Sequence, residues 1–263
     1  MNTQARPTAL ITGASSGIGA TYADRLARRG HDLLLVARDA QRLQVLAERL
    51  RSAYGIAVEV MPADLTQKTD VRKVEQRLRE DAAIGLLVNN AGVSMNGTLA
   101  QADLEYAEQM IELNVVALTR LAAAAAANFS AVGRGGIINL GSVVALAPEM
   151  FNAVYSATKA YVLSLSQTLA AELRSSNVQV QAVLPGLTRT EIFERSGTDA
   201  SLLPPSMIMA VEELVDAALA GFDQQELVTI PSLPDAADWE AFVAARAVLG
   251  PNLSHNQAAA RYK

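Results

Sequence analysis

Thr12-Gly-Ala-Ser-Ser-Gly-Ile-Gly19 closes the short apolar run Ala9–Thr12 and opens a stretch of helical periodicity. Glycine at 13, 17 and 19 lets the backbone turn tightly and come close to a bound group. The amino end of the following helix offers uncommitted N–H groups and a partial positive charge, the two properties that hold a pyrophosphate. Ser15, Ser16 and Ile18 fill the same turn. A strand running through a glycine turn into a helix is the first unit of a doubly wound sheet. The spacing is not G-x-G-x-x-G, and an ordinary glycine-rich turn has the same local composition, so the rest of the chain must decide.

Outward from that turn, short apolar runs alternate with longer amphipathic stretches. Strands are expected at Ala9–Thr12, Asp32–Ala37, Ala57–Pro62, Gly85–Asn89, Gly136–Leu140, Gln179–Leu184 and Leu227–Ile230. Helices are expected at Gly17–Arg29, Asp39–Tyr54, Gln67–Asp81, Leu104–Val132, Ser156–Arg174 and Val211–Phe222. Runs such as Leu33-Leu-Leu-Val36 are continuously apolar, as in a sheet covered on both faces, whereas Leu43, Leu46 and Leu50 recur at helical spacing. Strand–helix–strand repetition implies right-handed crossovers. The expected fold is α/β: a single-domain, Rossmann-like, doubly wound parallel sheet of about seven strands with helices on both faces. No linker or repeat divides residues 1–263.

Composition narrows the chemistry. Of the 263 residues, 51% are apolar and 19% charged; 22 Lys and Arg face 27 Asp and Glu for a net charge of −5. An acidic balance without a Lys/Arg block argues against nucleic acid and against an anionic membrane. The absence of cysteine excludes disulfides, a thiolate nucleophile and cysteine-ligated metals, and His31 and His255 are too scattered for a histidine metal site. Apolar runs such as Leu121–Ala127 stop short of the ~18 residues of a bilayer span, and no signal-peptide core precedes the glycine turn. A cytoplasmic protein is expected.

At the end of the second strand, where a carboxylate would grip an unphosphorylated ribose, the chain has Ala37, Arg38 and Asp39. Arg38 suits a 2′-phosphate, and Asp39 is more simply the N-cap of the next helix. NADP(H) is favoured and NAD(H) stays open. Farther along, Tyr155 and Lys159 stand four apart on one helix face, where a lysine cation would lower the phenol's pKa. Ser142 closes a strand at the carboxyl edge of the sheet. Alone, the pair is no more than a common helix-surface pair.

The joint order of Thr12-Gly-x-x-x-Gly-x-Gly19, Asn89-Asn-Ala-Gly92, Asn114, Ser142, Tyr155-Ser-Ala-Thr-Lys159 and Pro185-Gly186 changes that. Over about residues 8–231 the chain resembles the compact branch of the short-chain dehydrogenase/reductase family. The resemblance implies Tyr155 as general acid/base and Lys159 as the cation that lowers its pKa and binds the nicotinamide ribose. It implies Ser142 as the hydrogen-bond partner of the substrate oxygen, and Asn114 as the support of a water in the proton relay. It places Gly13, Ser15, Ser16, Gly17, Ile18 and Gly19 at the pyrophosphate, with Asp64 and Leu65 flanking the adenine. Asn90, Ala91 and Gly92 would line the adenosine side, and Pro185, Gly186, Thr188 and Thr190 would hold the carboxamide. In that family Arg38 marks NADP preference. Ser16 stands where many NADP-dependent relatives carry a basic residue, which leaves Arg38 as the only evident phosphate cation.

Residues 187–210 fall where the family places a substrate lid, and they are rich in apolar side chains, including Leu187, Ile192, Phe193, Leu202, Leu203, Met207, Ile208 and Met209. With Met95, Val144, Met150 and Phe151 they suggest an apolar pocket; Arg189 and Arg195 remain as carboxylate contacts. Residues 235–263 form a helical extension in which Trp239, Phe242 and Val243 make a stripe suited to core packing or a subunit interface. The resemblance implies a homodimer or homotetramer. The function expected is hydride transfer between NADP(H) and a small-molecule carbonyl or secondary alcohol, a mostly apolar ketone or aldehyde. The rival from another class is a catalytically idle dinucleotide-binding regulator, which would have no use for an activated phenol. Enoyl reductases space their Tyr and Lys more widely, and epimerase relatives have a different glycine spacing.

Overall fold

The computed structural model describes residues 6–189 and 204–263. The chain divides into two compact units, one ending at Pro231 and one comprising Ser232–Lys263. In the first, strands β1 (Arg6–Thr12), β2 (His31–Ala37), β3 (Val58–Pro62), β4 (Ile84–Asn89), β5 (Gly135–Leu140), β6 (Val178–Val183) and β7 (Val228–Thr229) form one sheet. Their order is β3-β2-β1-β4-β5-β6-β7, and every neighbouring pair is parallel. Helices α1 (Gly17–Arg28), α2 (Ala40–Tyr54), α3 (Lys68–Glu80), α4 (Leu104–Ile111), α5 (Leu118–Val132), α6 (Ala153–Glu172) and α7 (Val211–Asp223) connect them.

The continuous apolar strands are explained by two cores. Leu33 and Leu35 of β2 join one cluster with side chains of α1, α2 and α7, while Leu34 and Val36 join a second with side chains of α3 and α5. Alternate residues of a single strand therefore feed opposite faces, each fully buried leucine contributing about 1.5–3 kcal/mol. Leu43, Leu46 and Leu50 of α2 are buried, as their spacing predicts.

Two boundaries differ informatively from the sequence reading. The helix expected as one piece over Leu104–Val132 is α4 and α5 joined by a π turn, Glu112–Ala117, that contains the buried Asn114. Taken whole, these 29 residues are long and apolar enough to cross a bilayer, which a count of uninterrupted apolar runs overlooks. Much of their apolar surface is committed to the second core, through Leu121, Ala122, Ala124, Ala125 and Phe129. Finally, α6 starts at Ala153 instead of Ser156, because the Asn152 side chain caps it by accepting the Tyr155 N–H at 3.0 Å.

The second unit contains α8 (Ala236–Val248), capped by Asp235, which accepts the Ala237 N–H at 2.9 Å. Trp239 and Phe242 stack with ring centroids 5.3 Å apart. No residue of this helix is fully buried.

Candidate active site

The strand order reverses between β1 and β4, and a crevice opens there at the carboxyl ends of the strands. Gly13 and Gly17 adopt φ of +65° and +52°, which glycine tolerates without strain. A Cβ at Gly19 would overlap the Gly13 carbonyl oxygen and stand 2.5 Å from Asn90 Nδ2. Ser16 caps α1 without a side-chain hydrogen bond, leaving the first-turn N–H groups unclaimed by a side chain. The turn is tied across the crevice: Thr12 Oγ1 accepts the N–H of Asn90 and of Ala91, both at 3.0 Å, and Asn90 Nδ2 donates to the Thr12 carbonyl at 2.9 Å. Thr12 went unnoticed in sequence as a functional position, since a threonine at a strand end gives no local signal of a partner 78 residues away.

A cavity of about 660 Å³ extends from this turn. It gathers Gly13, Ser15, Ser16, Gly17 and Ile18 with Arg38, Asp64, Leu65, Asn90, Ala91 and Gly92, and with Ser142, Tyr155, Lys159, Pro185, Gly186 and Thr188. Gly19 lies behind the lining, against Gly13 and Asn90. Thr190 falls outside the described residues. At the far end Asp39 accepts the Arg42 N–H at 2.9 Å, the N-cap expected of it. Arg42 lines the same cavity, so Arg38 is not the only cation at that end. Arg42 stands in the first turn of α2, four residues after Arg38, which lies before the helix begins. Asp64 turns its carboxylate to Thr66, accepting from the backbone N–H at 3.0 Å and the hydroxyl at 2.8 Å.

At the near end, the N-cap by Asn152 sets Tyr155 in the first turn of α6 and Lys159 one turn on. Lys159 Nζ donates to the Leu140 carbonyl at 2.9 Å and lies 5.7 Å from the Tyr155 ring centroid. Ser142 caps the short turn Val143–Ala145, donates to the Pro185 carbonyl at 3.3 Å and shares a hydrogen bond with the Tyr155 phenol. Burial pushes the phenol up to about 12, opposed by Ser142, and pulls Lys159 down to about 8. The lowering of Tyr155 expected from Lys159 is therefore not what the protein alone produces: burial raises the phenol, and it is Ser142 that opposes the rise. Asn114 lies behind the pair. Its Oδ1 accepts the Val93 N–H at 3.0 Å, and its Nδ2 donates to the Val93 carbonyl at 2.9 Å and to Thr158 Oγ1 at 3.3 Å. A Cβ on Gly92 would stand 3.1 Å from Asn114 Oδ1 and 3.6 Å from Lys159 Nζ. The Asn114 side chain thus clamps the strand β4 exit loop directly, next to the lysine.

Of the apolar residues expected near the reacting end, Met95, Val144, Phe151 and Leu187 line the cavity; Met150 does not and is 74% exposed. Arg189 is exposed outside the lining, its N–H committed to the Met209 carbonyl at 3.1 Å. From the expected lid, Thr188 and Met209 pair across a bridge. Ile192, Phe193, Arg195, Leu202 and Leu203 lie outside the described residues. Ser94, Asn96 and Asn152 add polar groups to the same wall that the sequence reading did not single out.

A family model described as short chain dehydrogenase matches residues 7–201. A solved short-chain dehydrogenase from Sphingobium yanoikuyae, in complex with NADPH, is 58% identical with a TM-score of 0.95, covering 98% of this chain and 100% of that one. A bulky-bulky ketone specific alcohol dehydrogenase from Comamonas testosteroni is 51% identical with a TM-score of 0.91, covering 98% and 99%. An uncharacterised oxidoreductase of Staphylococcus saprophyticus is 34% identical over 185 residues, 70% of this chain and 79% of that protein. With its glycine turn, capped Tyr–Lys helix and parallel sheet, the chain belongs to the short-chain dehydrogenase family.

Proposed function

We propose that this protein reduces a mostly apolar ketone or aldehyde with NADPH, or oxidises the corresponding secondary alcohol with NADP⁺. The observation that carries the reading is the convergence of Ser142, Tyr155 and Lys159 at one end of a cavity whose other end holds Arg38 and Arg42. The residues fit the dinucleotide: uncapped N–H groups of α1 suit the pyrophosphate, the close turn that holds them is one a Cβ at Gly19 would break by overlapping the Gly13 carbonyl, and two guanidinium groups suit a 2′-phosphate. The NADPH-bound relative at 58% identity supports the same cofactor, and the relative specific for ketones bulky on both sides supports a substrate with apolar bulk flanking its carbonyl.

The nicotinamide, when bound, supplies or accepts the hydride. The chain supplies orientation and the proton. Tyr155, held protonated by burial, donates to the carbonyl oxygen as that oxygen becomes an alkoxide, and the Ser142 hydroxyl turns from the Pro185 carbonyl to donate a hydrogen bond to the same oxygen. One hydride on carbon and one proton on oxygen complete the alcohol. Pro185, Gly186, Thr188 and Thr190 would hold the carboxamide, and Asn114 would support the relay that returns a proton to Tyr155. Exposed Leu104, Ile111 and Tyr161 on α4 and α6 support the homodimer or homotetramer expected of the chain.

The test is NADPH oxidation over a panel of ketones and aldehydes graded in bulk on each side of the carbonyl. Wild type should turn over the bulky apolar members, and Tyr155→Phe should lose roughly 10²–10⁴-fold in kcat while still binding NADPH. No oxidation across the panel, or equal rates for the variant, would sink the reading.

A further inference from the structure

At the opposite, amino end of the sheet lies a second cavity of about 340 Å³ that the catalytic reading does not use. The first residues of β1, β2, β4, β5 and β6 meet the last turns of α1 and α7 there. Its apolar part is formed by Leu26, Leu86, Leu219 and Phe222. Around this floor stand three arginines, Arg6, Arg29 and Arg134, in a protein whose net charge is −5. Arg29 is engaged by Asp223, with both guanidinium–carboxylate contacts at 3.0 Å. Among the described residues, Arg6 and Arg134 have no carboxylate partner.

Helix carboxyl ends attract cations, and that accounts for Arg29 at the end of α1. It does not account for a concave apolar floor beneath two guanidiniums that, among the described residues, have no carboxylate partner. His31 reports on the same field. It is buried and its Nδ1 donates to the Pro7 carbonyl at 2.7 Å; burial first, with smaller help from the charges of Arg6 and Arg29, holds its pKa below the usual imidazole range, while the Pro7 hydrogen bond and Asp32 oppose them. Arg6, Arg29 and Arg134 against the single carboxylate Asp223 leave the lining two charges positive, which favours an anion.

We propose that the cavity between Arg6, Arg134 and Phe222 binds a small organic oxyanion, a carboxylate or phosphate head on a short apolar body, at a site separate from the catalytic cleft. The head takes the paired donors of Arg6 and Arg134, for which planar guanidinium forks are suited. The body covers Leu26, Leu86 and Phe222. Asp223 stays with Arg29, so the entering anion meets Arg6 and Arg134.

Because His31 and His255 are the only histidines, the imidazole resonances of the full-length protein give a direct readout, with His255 as internal control. Hexanoate, hexyl phosphate, inorganic phosphate and hexan-1-ol are titrated separately, with affinities from calorimetry. One or both amphipathic anions should shift His31 but not His255 and raise the His31 pKa, since the anion offsets Arg6. Affinity should fall about tenfold or more in Arg134→Gln and further in Arg6→Gln/Arg134→Gln. Inorganic phosphate should bind more weakly, and the neutral alcohol should leave His31 in place. Comparison of hexanoate with hexyl phosphate identifies the preferred head. The proposal is overturned by an unmoved His31 with both amphipathic anions, by unchanged affinity in the double variant, or by equal binding of hexan-1-ol or of inorganic phosphate. Unaltered NADPH binding shows that the exposed-arginine variants are folded. The readout is a resonance and not turnover, so this site and the catalytic reading stand or fall separately.

Discussion

The residues of the cleft act through their surroundings more than through their identities. Lys159 is the clearest case, because burial lowers its pKa to about 8 while the unfolded chain keeps it near the ordinary 10.5. Between these values the unfolded state holds a proton that the folded state has released, so stability rises with pH over that window. Below about 8 the full cost of burying the cation is present. Urea unfolding between about pH 8 and 10 should therefore show wild type gaining on Lys159→Met, by at most about 1.4 kcal/mol per pH unit. Tyr155 acts in the opposite sense but only at higher pH: its folded value is raised, so the stability it contributes is lost above about 10. At the other end, Arg38→Ala should weaken NADPH by about 10- to 100-fold and leave NADH within about twofold, as binding calorimetry can show; Arg42→Ala should act in the same direction. Arg38 was legible because it follows a strand end at a position with a known chemical task. Arg42 was not, because a helical arginine beside an acidic N-cap looks like an ordinary surface pair.

At the scale of elements, one capping contact sets the catalytic helix. Asn152 receives the Tyr155 N–H and donates its own Nδ2 to the Gly97 carbonyl at 2.8 Å, so it joins the start of α6 to the loop after β4. Asn152→Ala should lower Tm by roughly 2–4 °C, the effect of losing about 1 kcal/mol of cap. Asn152→Asp keeps the accepting oxygen and should recover most of that loss, although its bond to Gly97 is gone; calorimetry of both variants checks the pair. The periodicities that announce helices and strands survived well in the structure, because Leu33–Val36 and Leu43–Leu50 are set by two-sided and one-sided burial. What escaped was produced by contacts distant in sequence. The π turn at Glu112–Ala117 interrupts a smoothly apolar helix, and the buried Asn114 within it is bonded to Val93 and Thr158. The arginine-lined cavity is another instance: positions 6, 29 and 134 form no run, so composition showed only an acidic chain.

For the molecule as a whole, ligand binding at the crevice is coupled to the entire sheet, since the site takes residues from β1 through the loop after β6. NADPH at about 100 times its Kd should add about 2.7 kcal/mol to stability, seen as a concentration-dependent rise in Tm that persists in Tyr155→Phe.

The reversal of strand order has a cost during folding. Thr12 meets Asn90 across 78 residues, and β1 lies between β2 and β4 in the finished sheet. Strands β1 to β3 can pair as soon as they are synthesised, but until β4 arrives the other side of β1 is an unpaired edge bearing Ala9, Leu10 and Ile11, all fully buried in the native protein. Such an edge is a template for pairing with another chain. Delayed arrival of β4, more than any weakness in the finished core, is where this chain would lose molecules to aggregation, and conditions that slow the α3–β4 segment should lower refolding yield without changing the stability of what does fold.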